Sequence, residues 1–165
     1  TEGAYDYARR QSFIVTDEIT HAVSLEDFCA EWRNTPPSSP TEIRFKRWLI
    51  DELARIARTM HNSGANHRDF YLSHFLLHQS QKMGKPSPDN CRIFLIDLHR
   101  MRIHKPSRTA WIKAAVKGLL KRQRPRTPQS KTPSRWKMRD LSGRQYSIRK
   151  LGLTRGDLIR FMSTY

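Results

Sequence analysis

The sequence predicts an α+β fold dominated by helices, and three observations carry that reading. First, Ile43, Leu49, Leu53, Ile56, Ala57 and Met60 recur at helical spacing along one stretch, which reaches Ser63 and stops at Gly64, a residue suited to a left-handed cap. Second, Phe75–Leu77 and Arg92–Ile96 are short apolar runs of strand length, separated by a loop that contains Gly84, Pro86 and Pro88. Third, Thr154 with Asp157 forms a capping-box pattern that starts a last helix carrying Leu158, Phe161 and Met162.

In chain order, Ser12-Phe13-Ile14-Val15-Thr16 reads as a strand. Ser24 caps a short helix: Glu26 and Asp27 suit the positive end of its dipole, and Leu25, Phe28 and Trp32 recur at near-helical spacing. The run Asn34–Pro40 breaks the chain, and Thr41 or Thr35 starts the long helix, on which Asp51 and Arg55 are spaced for an exposed ion pair. Between His104 and Ser134, Trp111, Ile112, Ala115, Val116, Leu119 and Leu120 interleave with Lys113, Lys117, Lys121 and Arg122 as a basic amphipathic helix. Arg124 through Pro133 is cationic and proline-rich, and reads as mobile.

At 165 residues the chain suits one domain with one core. It has no apolar run near the ~20 residues needed to span a bilayer, and no basic-then-apolar secretory leader. Cys29 and Cys91 lie far apart without a Cys-x-x-Cys pattern, which favours reduced thiols over a disulfide or zinc framework. The net charge of +16 is lopsided: residues 99–165 hold 19 Lys and Arg against two acids, whereas residues 1–98 hold 12 against 13. Such a carboxy-terminal half implies an anionic partner, whether a phosphorylated glycolipid, a membrane surface, a nucleic acid or an acidic protein. A solvated basic segment with no specific partner is the plain alternative.

The chemistry concentrates in Asn66-His67-Arg68-Asp69-Phe70-Tyr71-Leu72-Ser73-His74, between the long helix and the first apolar run. Five residues separate Asp69 from His74, and the second run ends in Asp97. A loop acid, a ligand five residues later and an acid ending the second of two strands form the layout of a protein-kinase catalytic loop and metal site. Phosphoryl transfer requires a base beside the attacking hydroxyl and a cation on the phosphates, and Mg²⁺ takes oxygen ligands. Asp69 is therefore the candidate base, and Asp97 the candidate metal ligand. His74 stands where kinases carry asparagine, as a metal or phosphate contact or as a neighbour of the loop.

The motif Asn66-His-Arg-Asp-x-Tyr-x-x-His-Phe-Leu-Leu-His78, with Leu95-Ile-Asp-Leu-His-Arg100 and the ending Gly152–Arg155 through Arg160-Phe161, resembles the bacterial lipopolysaccharide kinase family, above all its heptose-phosphorylating members. The resemblance runs from about Arg10 to His104 and from Ser134 to Tyr165. It implies a protein-kinase-like fold, mainly the helical carboxy-terminal lobe, with most of the amino-terminal lobe missing. Residues 1–19 then correspond to the last strand of that lobe and the hinge, and residues 20–165 to the carboxy-terminal lobe, with a basic insertion at about 105–133. It also implies ATP and Mg²⁺ as cofactors and phosphorylation of a lipid A-linked core heptose at the cytoplasmic face of the inner membrane. Acyl carrier protein is a partner it suggests. Asp17, Glu18 and Ile19 become the hinge, whose backbone groups bond the adenine edge. Trp136-Lys137-Met138-Arg139-Asp140-Leu141 resembles the family's Trp-x-x-x-Asp-Leu, which makes Asp140 the carboxylate bracing the catalytic loop.

Two departures qualify the resemblance. Tyr71 replaces the lysine that many protein kinases carry two residues after the base, so one phosphate-neutralising charge must come from elsewhere. No lysine precedes Lys46 and no Gly-x-Gly-x-x-Gly occurs, so this stretch is expected to be a piece of a longer kinase or a natural truncation, inactive by itself. His67 reads as a scaffold of the loop, and Arg68 as a partner for an acidic or phosphorylated group or as a solvated side chain. His61, His78 and His99 read as structural, and His21 and His104 as surface residues. A zinc hydrolase built on His67, Asp69, His74 and His99 is the rival enzyme. A nucleic-acid arm in the basic half is the rival binding function, without a recognisable motif to support it.

Overall fold

The long helix, α2, spans Pro40–Asn62 and is capped by Ser39 rather than by either expected threonine. Ser39 Oγ accepts the Glu42 N–H at 3.3 Å, and the Glu42 carboxylate returns to the Ser39 N–H at 3.2 Å. Pro40 follows at the first helical position, where its missing N–H costs nothing, so this cap prevails over Thr35 and Thr41. The buried stripe is Phe45, Leu49, Ile50, Leu53, Ala54, Ala57, Met60 and His61. Ile43 and Ile56, expected there, are half-buried at its margin.

The computed structural model describes residues 15–80, 84–106, 112, 131–150 and 153–165, with the backbone alone for 143–150. Before α2 come a strand, β1 (Ala22–Ser24), and a one-turn helix, α1 (Leu25–Phe28), capped by Ser24 as expected. After it come β2 (Ala65–Asn66), β3 (Phe75–Gln79), β4 (Cys91–Leu95) and β5 (Arg102–Ile103), then the helices α3 (Ser134–Lys150) and α4 (Arg155–Thr164). The strands β1, β3 and β4 form an antiparallel sheet in that order, with Ala22 opposite His78 and Phe75 opposite Leu95. A second ladder pairs β2 with β5. Both apolar runs are thus strands, and the Ser80 N–H closes their hairpin on Asn90 O at 2.9 Å.

The core joins α1, α2 and α4 to the loop and β3 through Leu25, Leu53, Phe70, Leu72, Phe75, Leu77 and Phe161, all under a tenth exposed. Each such Leu or Phe contributes about 1.5–3 kcal/mol by leaving water. Phe70 and Phe75 meet edge-on at 4.9 Å, which locks the loop after Asp69 onto the first turn of β3. The last helix starts with the predicted Thr154–Asp157 box, and Lys46 of α2 bonds Asp157 at 3.0 Å.

Several expectations are corrected. Arg55 pairs with Glu52, one turn back, while Asp51 turns to α4 and takes Arg160 at 3.4 Å and Thr164 Oγ1 at 3.0 Å. Met162 is 51% exposed, because the face of α4 that meets α2 centres on Phe161. Thr132 is buried, not part of a mobile stretch: its Oγ1 donates to Ala65 O at 2.7 Å and its N–H to His61 O at 3.0 Å. Of the expected strand Ser12–Thr16, residues 12–14 lie outside the described residues, and Val15 is 85% exposed and outside any strand. The basic amphipathic helix also lies outside them, apart from Ile112, which is helical and exposed. Both cysteines are free and buried, and burial pushes the Cys29 thiol up to about 12. Among the described residues no helix is long and apolar enough to cross a membrane.

Candidate active site

The long helix ends where the site begins. Gly64 adopts φ 85°, a left-handed conformation that costs glycine little, and its carbonyl accepts the His104 N–H at 2.7 Å. His104 Nε2 then bonds Asn66 Oδ1 at 2.7 Å, and its ring stacks over Trp136. It is therefore half-buried in the structure, not on the surface as its isolation in the sequence suggested.

Asp140, on the first half of α3 and 1% exposed, holds the next two residues by their backbone. Its Oδ2 accepts the His67 N–H and its Oδ1 the Arg68 N–H, both at 2.9 Å, while His61 Nε2 donates to Oδ2 at 3.0 Å. Burial opposes the charge on Asp140, but the His61 bond and the two backbone N–H groups outweigh it and hold the carboxyl below its ordinary range. Behind His61 stands Tyr165 Oη, 2.8 Å from Nδ1, whose phenol is pushed up by burial and by the Asp140 charge. With two consecutive N–H groups pinned, Arg68 is held at φ 75°, a region non-glycine residues rarely enter. Asp69 follows directly.

His67 is buried and donates from Nε2 to Ile96 O at 2.9 Å, which ties the loop to the end of the second apolar run. The Ile96 N–H donates in turn to His74 O at 2.9 Å. His74 connects the two acids. Its Nδ1 donates to the Asp69 carbonyl at 2.7 Å, and its Nε2 lies 3.5 Å from Asp97 Oδ2. Because Nδ1 carries the proton of that bond, Nε2 is the ring atom left to coordinate, and it faces a carboxylate. Asp97 itself sits at φ 60°, ψ 53°, so it turns the chain sharply into the Leu98–Arg100 turn. His99 Nδ1 bonds Asp97 Oδ1, and chiefly through that bond the Asp97 carboxyl is held below its usual range. From the same turn Arg100 Nη1 donates to Asp69 Oδ1 at 2.9 Å.

Asp69, His74, Asp97, His67, Arg68 and Asp140, singled out from the sequence, thus lie in one connected cluster. Asp17 and Glu18 are exposed and Ile19 half-buried in an irregular segment that leads into β1. The Gln79 N–H bonds His21 O, so this segment enters at the end of β3 far from His74. His99, expected to be structural, has a side chain 66% exposed beside Asp97. Sequence reasoning also missed Arg100, whose one signal was its place three residues after Asp97. A groove of about 470 Å³ lined by Phe28, Trp32, Pro36 and Phe45 shares no residue with this cluster. Among the described residues no group of three or more His, Cys, Asp or Glu converges on a metal-sized point. The donor chemistry fits magnesium nonetheless: the part-exposed Asp97 carboxylate suits a hard ion that keeps waters and phosphates as further ligands.

Comparison with known proteins identifies relatives of the chain. The family model described as "Lipopolysaccharide kinase (Kdo/WaaP) family" matches residues 2–165. The lipopolysaccharide core heptose(I) kinase WaaP of Escherichia coli K12 is 39% identical over 156 residues, 94% of this chain and 47% of the relative. WaaP of Pseudomonas aeruginosa is 37% identical over 164 residues, 99% of this chain and 49% of the relative. Among solved structures, WaaP in complex with acyl carrier protein superposes with a TM-score of 0.70 at 37% identity, over 99% of this chain and 54% of that one. The chain spans about half the length of the curated relatives it matches.

Proposed function

Because the chain belongs to the lipopolysaccharide kinase (Kdo/WaaP) family and has its kinase-like fold, we propose that it carries the base and metal-binding half of an ATP-dependent lipopolysaccharide core heptose kinase. One observation carries this reading. The imidazole of His74 bonds the backbone of Asp69 on one side and faces the carboxylate of Asp97 on the other.

In this reading Asp69 orients the heptose hydroxyl and takes its proton as the oxygen attacks. Asp97 is the magnesium ligand, with His74 Nε2 as an auxiliary contact to the metal or to a phosphate. Bound there, magnesium would neutralise charge on the β- and γ-phosphates. His67, Arg68 and Asp140 do not touch substrate; they hold the Asp69 backbone still, so that the base meets its hydroxyl without first ordering the loop. Residues 17–19 meet the adenine edge through backbone groups, with residues 20–165 as the carboxy-terminal lobe. The names of the relatives support the heptose acceptor and an acyl carrier protein partner, and the cytoplasmic face of the inner membrane rests on the family resemblance alone. The basic half, with 19 Lys and Arg against two acids over residues 99–165, suits an anionic partner.

The test uses the full-length protein, ATP and lipopolysaccharide core that lacks the heptose phosphate. Asp69→Ala and Asp97→Ala are each expected to reduce phosphate transfer by about 1000-fold or more while leaving the circular dichroism spectrum unchanged. Near-wild-type turnover by either variant refutes the assignment.

A further inference from the structure

Phosphoryl transfer spreads negative charge over the γ-phosphoryl oxygens, so a catalytic loop needs a cation that reaches both them and the base. Tyr71 occupies the position where protein kinases place that cation, and a phenol cannot supply the charge. Arg68 precedes Asp69 directly, but its Nε is buried without a hydrogen-bond partner and no ion pair joins it to Asp69 among the described residues. Among the described residues the one cation bonded to Asp69 is Arg100.

Its position follows from the backbone. Asp97 in the left-handed region reverses the chain, the Met101 N–H closes the turn on Leu98 O at 2.9 Å, and the third residue of that turn points back to the loop. A guanidinium has five N–H donors, and Arg100 has one on Asp69 Oδ1. The others have no protein partner among the described residues, and the side chain is 45% exposed while that of Asp69 is 16% exposed. One end of the guanidinium is therefore fixed on the candidate base, and the rest of it is open to solvent.

We propose that Arg100 is a further catalytic residue, replacing from the post-Asp97 turn the cation that Tyr71 removes from the loop. This rests on the kinase reading above. Arg100 Nη1 retains Asp69 Oδ1, which leaves Oδ2 for the acceptor hydroxyl, and its remaining N–H groups bond the γ-phosphoryl oxygens. In the step itself the hydroxyl proton passes to Asp69, and the acceptor oxygen forms its bond to the γ-phosphorus. The bond from that phosphorus to the β–γ bridging oxygen breaks, and ADP departs with the electron pair. Arg100 neither gives nor takes a proton. A planar fork suits this double contact, whereas a single ammonium must choose between base and phosphate.

The experiment measures steady-state kinetics of the full-length protein with ATP and dephosphorylated lipopolysaccharide core. Arg100→Ala is expected to lower kcat about 100-fold, the usual effect of removing one preorganised donor to transition-state charge, with KM for ATP within about threefold. Added guanidinium ions should restore Arg100→Ala at least about tenfold and leave Asp69→Ala inactive, a rescue that lost packing would not show. Arg100→Lys, which keeps the charge at a part-exposed site, should lose about tenfold in kcat. Putting lysine back in the loop, as Tyr71→Lys on the Arg100→Ala background, should recover part of the rate. Arg100→Ala or Arg100→Lys turning over within about threefold of wild type overturns the proposal, as does a deficit that neither guanidinium nor Tyr71→Lys relieves. A wild-type protein that transfers no phosphate sinks the kinase reading and this proposal with it, whereas an active wild type with an equally active Arg100→Ala sinks this one alone.

Discussion

The loop that carries Asp69 and the turn that carries Asp97 are built on the same backbone device and supported in opposite ways. Each places a non-glycine residue in the left-handed region, Arg68 at φ 75° and Asp97 at φ 60°, and each presents a carboxylate. The loop is held from within: Asp140, His61 and His67 are all buried, and two backbone N–H groups end on one carboxylate. The turn is held from outside, by side chains 23% (His74) and 66% (His99) exposed around a carboxylate 36% exposed. Proton abstraction requires a base at a set angle to its hydroxyl, and order there lowers the barrier. A metal ligand must instead receive an ion with its waters and phosphates, so an open turn that adjusts is an advantage. The contrast suggests that stability and activity are coupled on the loop and separable on the turn.

The strongest attempt to break that contrast is Asp140→Ala. It leaves the His67 and Arg68 N–H groups and His61 Nε2 buried without an acceptor, each worth about 1–3 kcal/mol, so unfolding free energy should fall by about 3 kcal/mol or more. Urea denaturation measures it, and phosphate transfer should be lost with it. The pH dependence has a definite sign. Because the folded Asp140 carboxyl lies below its ordinary value of about 4, its contribution is complete above that pH and fades as pH falls through the lower folded value. Asp140→Asn should therefore show a shallower loss of stability in acid than the wild type does.

What the sequence made legible follows the same division. Asp69, His74 and Asp97 stood out because residue type and spacing both belong to the backbone path through one loop and two strands, and that path is local. The bracing role of Asp140, 71 positions after Asp69, was suggested only by family resemblance, since no periodicity links residues so far apart. Arg100 closes a quoted motif, but its contact with Asp69 was invisible for a physical reason. Its aim depends on Asp97 entering the left-handed region, and an aspartate there leaves no mark that a glycine would. His99 and His104 were misplaced because a lone histidine has no pattern that reports burial. The strands β1, β2 and β5, two or three residues each, are too short for alternation to register, and their pairing is decided by the longer elements around them.

His74 joins the two regions, so its replacement sharpens the comparison next. His74→Ala removes the link between the Asp69 carbonyl and Asp97, and should lower kcat about 100-fold while costing less than about 1.5 kcal/mol of stability. His74→Asn, which restores the residue that protein kinases carry here and offers an oxygen in place of a ring nitrogen, should lie within about tenfold of wild type and need no more magnesium for half-maximal rate. A titration of rate against magnesium distinguishes them. If His74→Ala needs no more magnesium than wild type, the histidine serves the loop alone.

Tyr165→Phe probes the outermost layer of the brace. It deletes one hydroxyl on His61 and keeps the ring that stacks on Phe161, so the loss should be about 1 kcal/mol with turnover within about twofold. A drop in rate much larger than the drop in stability would mean that the Tyr165 hydroxyl acts on Asp69 through His61 and Asp140.

The smallest effect is expected from His99→Ala, and it tests the turn as Asp140→Ala tests the loop. His99 bonds Asp97 and its side chain is 66% exposed, so water replaces it at once and the pair contributes as exposed pairs do. The change in unfolding free energy should stay within about 0.5 kcal/mol. The Asp97 backbone should keep its left-handed turn, because the Ile96 N–H on His74 O and the Met101 N–H on Leu98 O both remain. Turnover at saturating magnesium should then stay within about threefold of wild type, with Arg100 still on Asp69. Had the turn been braced like the loop, losing one of its two histidine partners would lower stability and rate together, and a denaturation curve shifted by more than about 1 kcal/mol would show that it is.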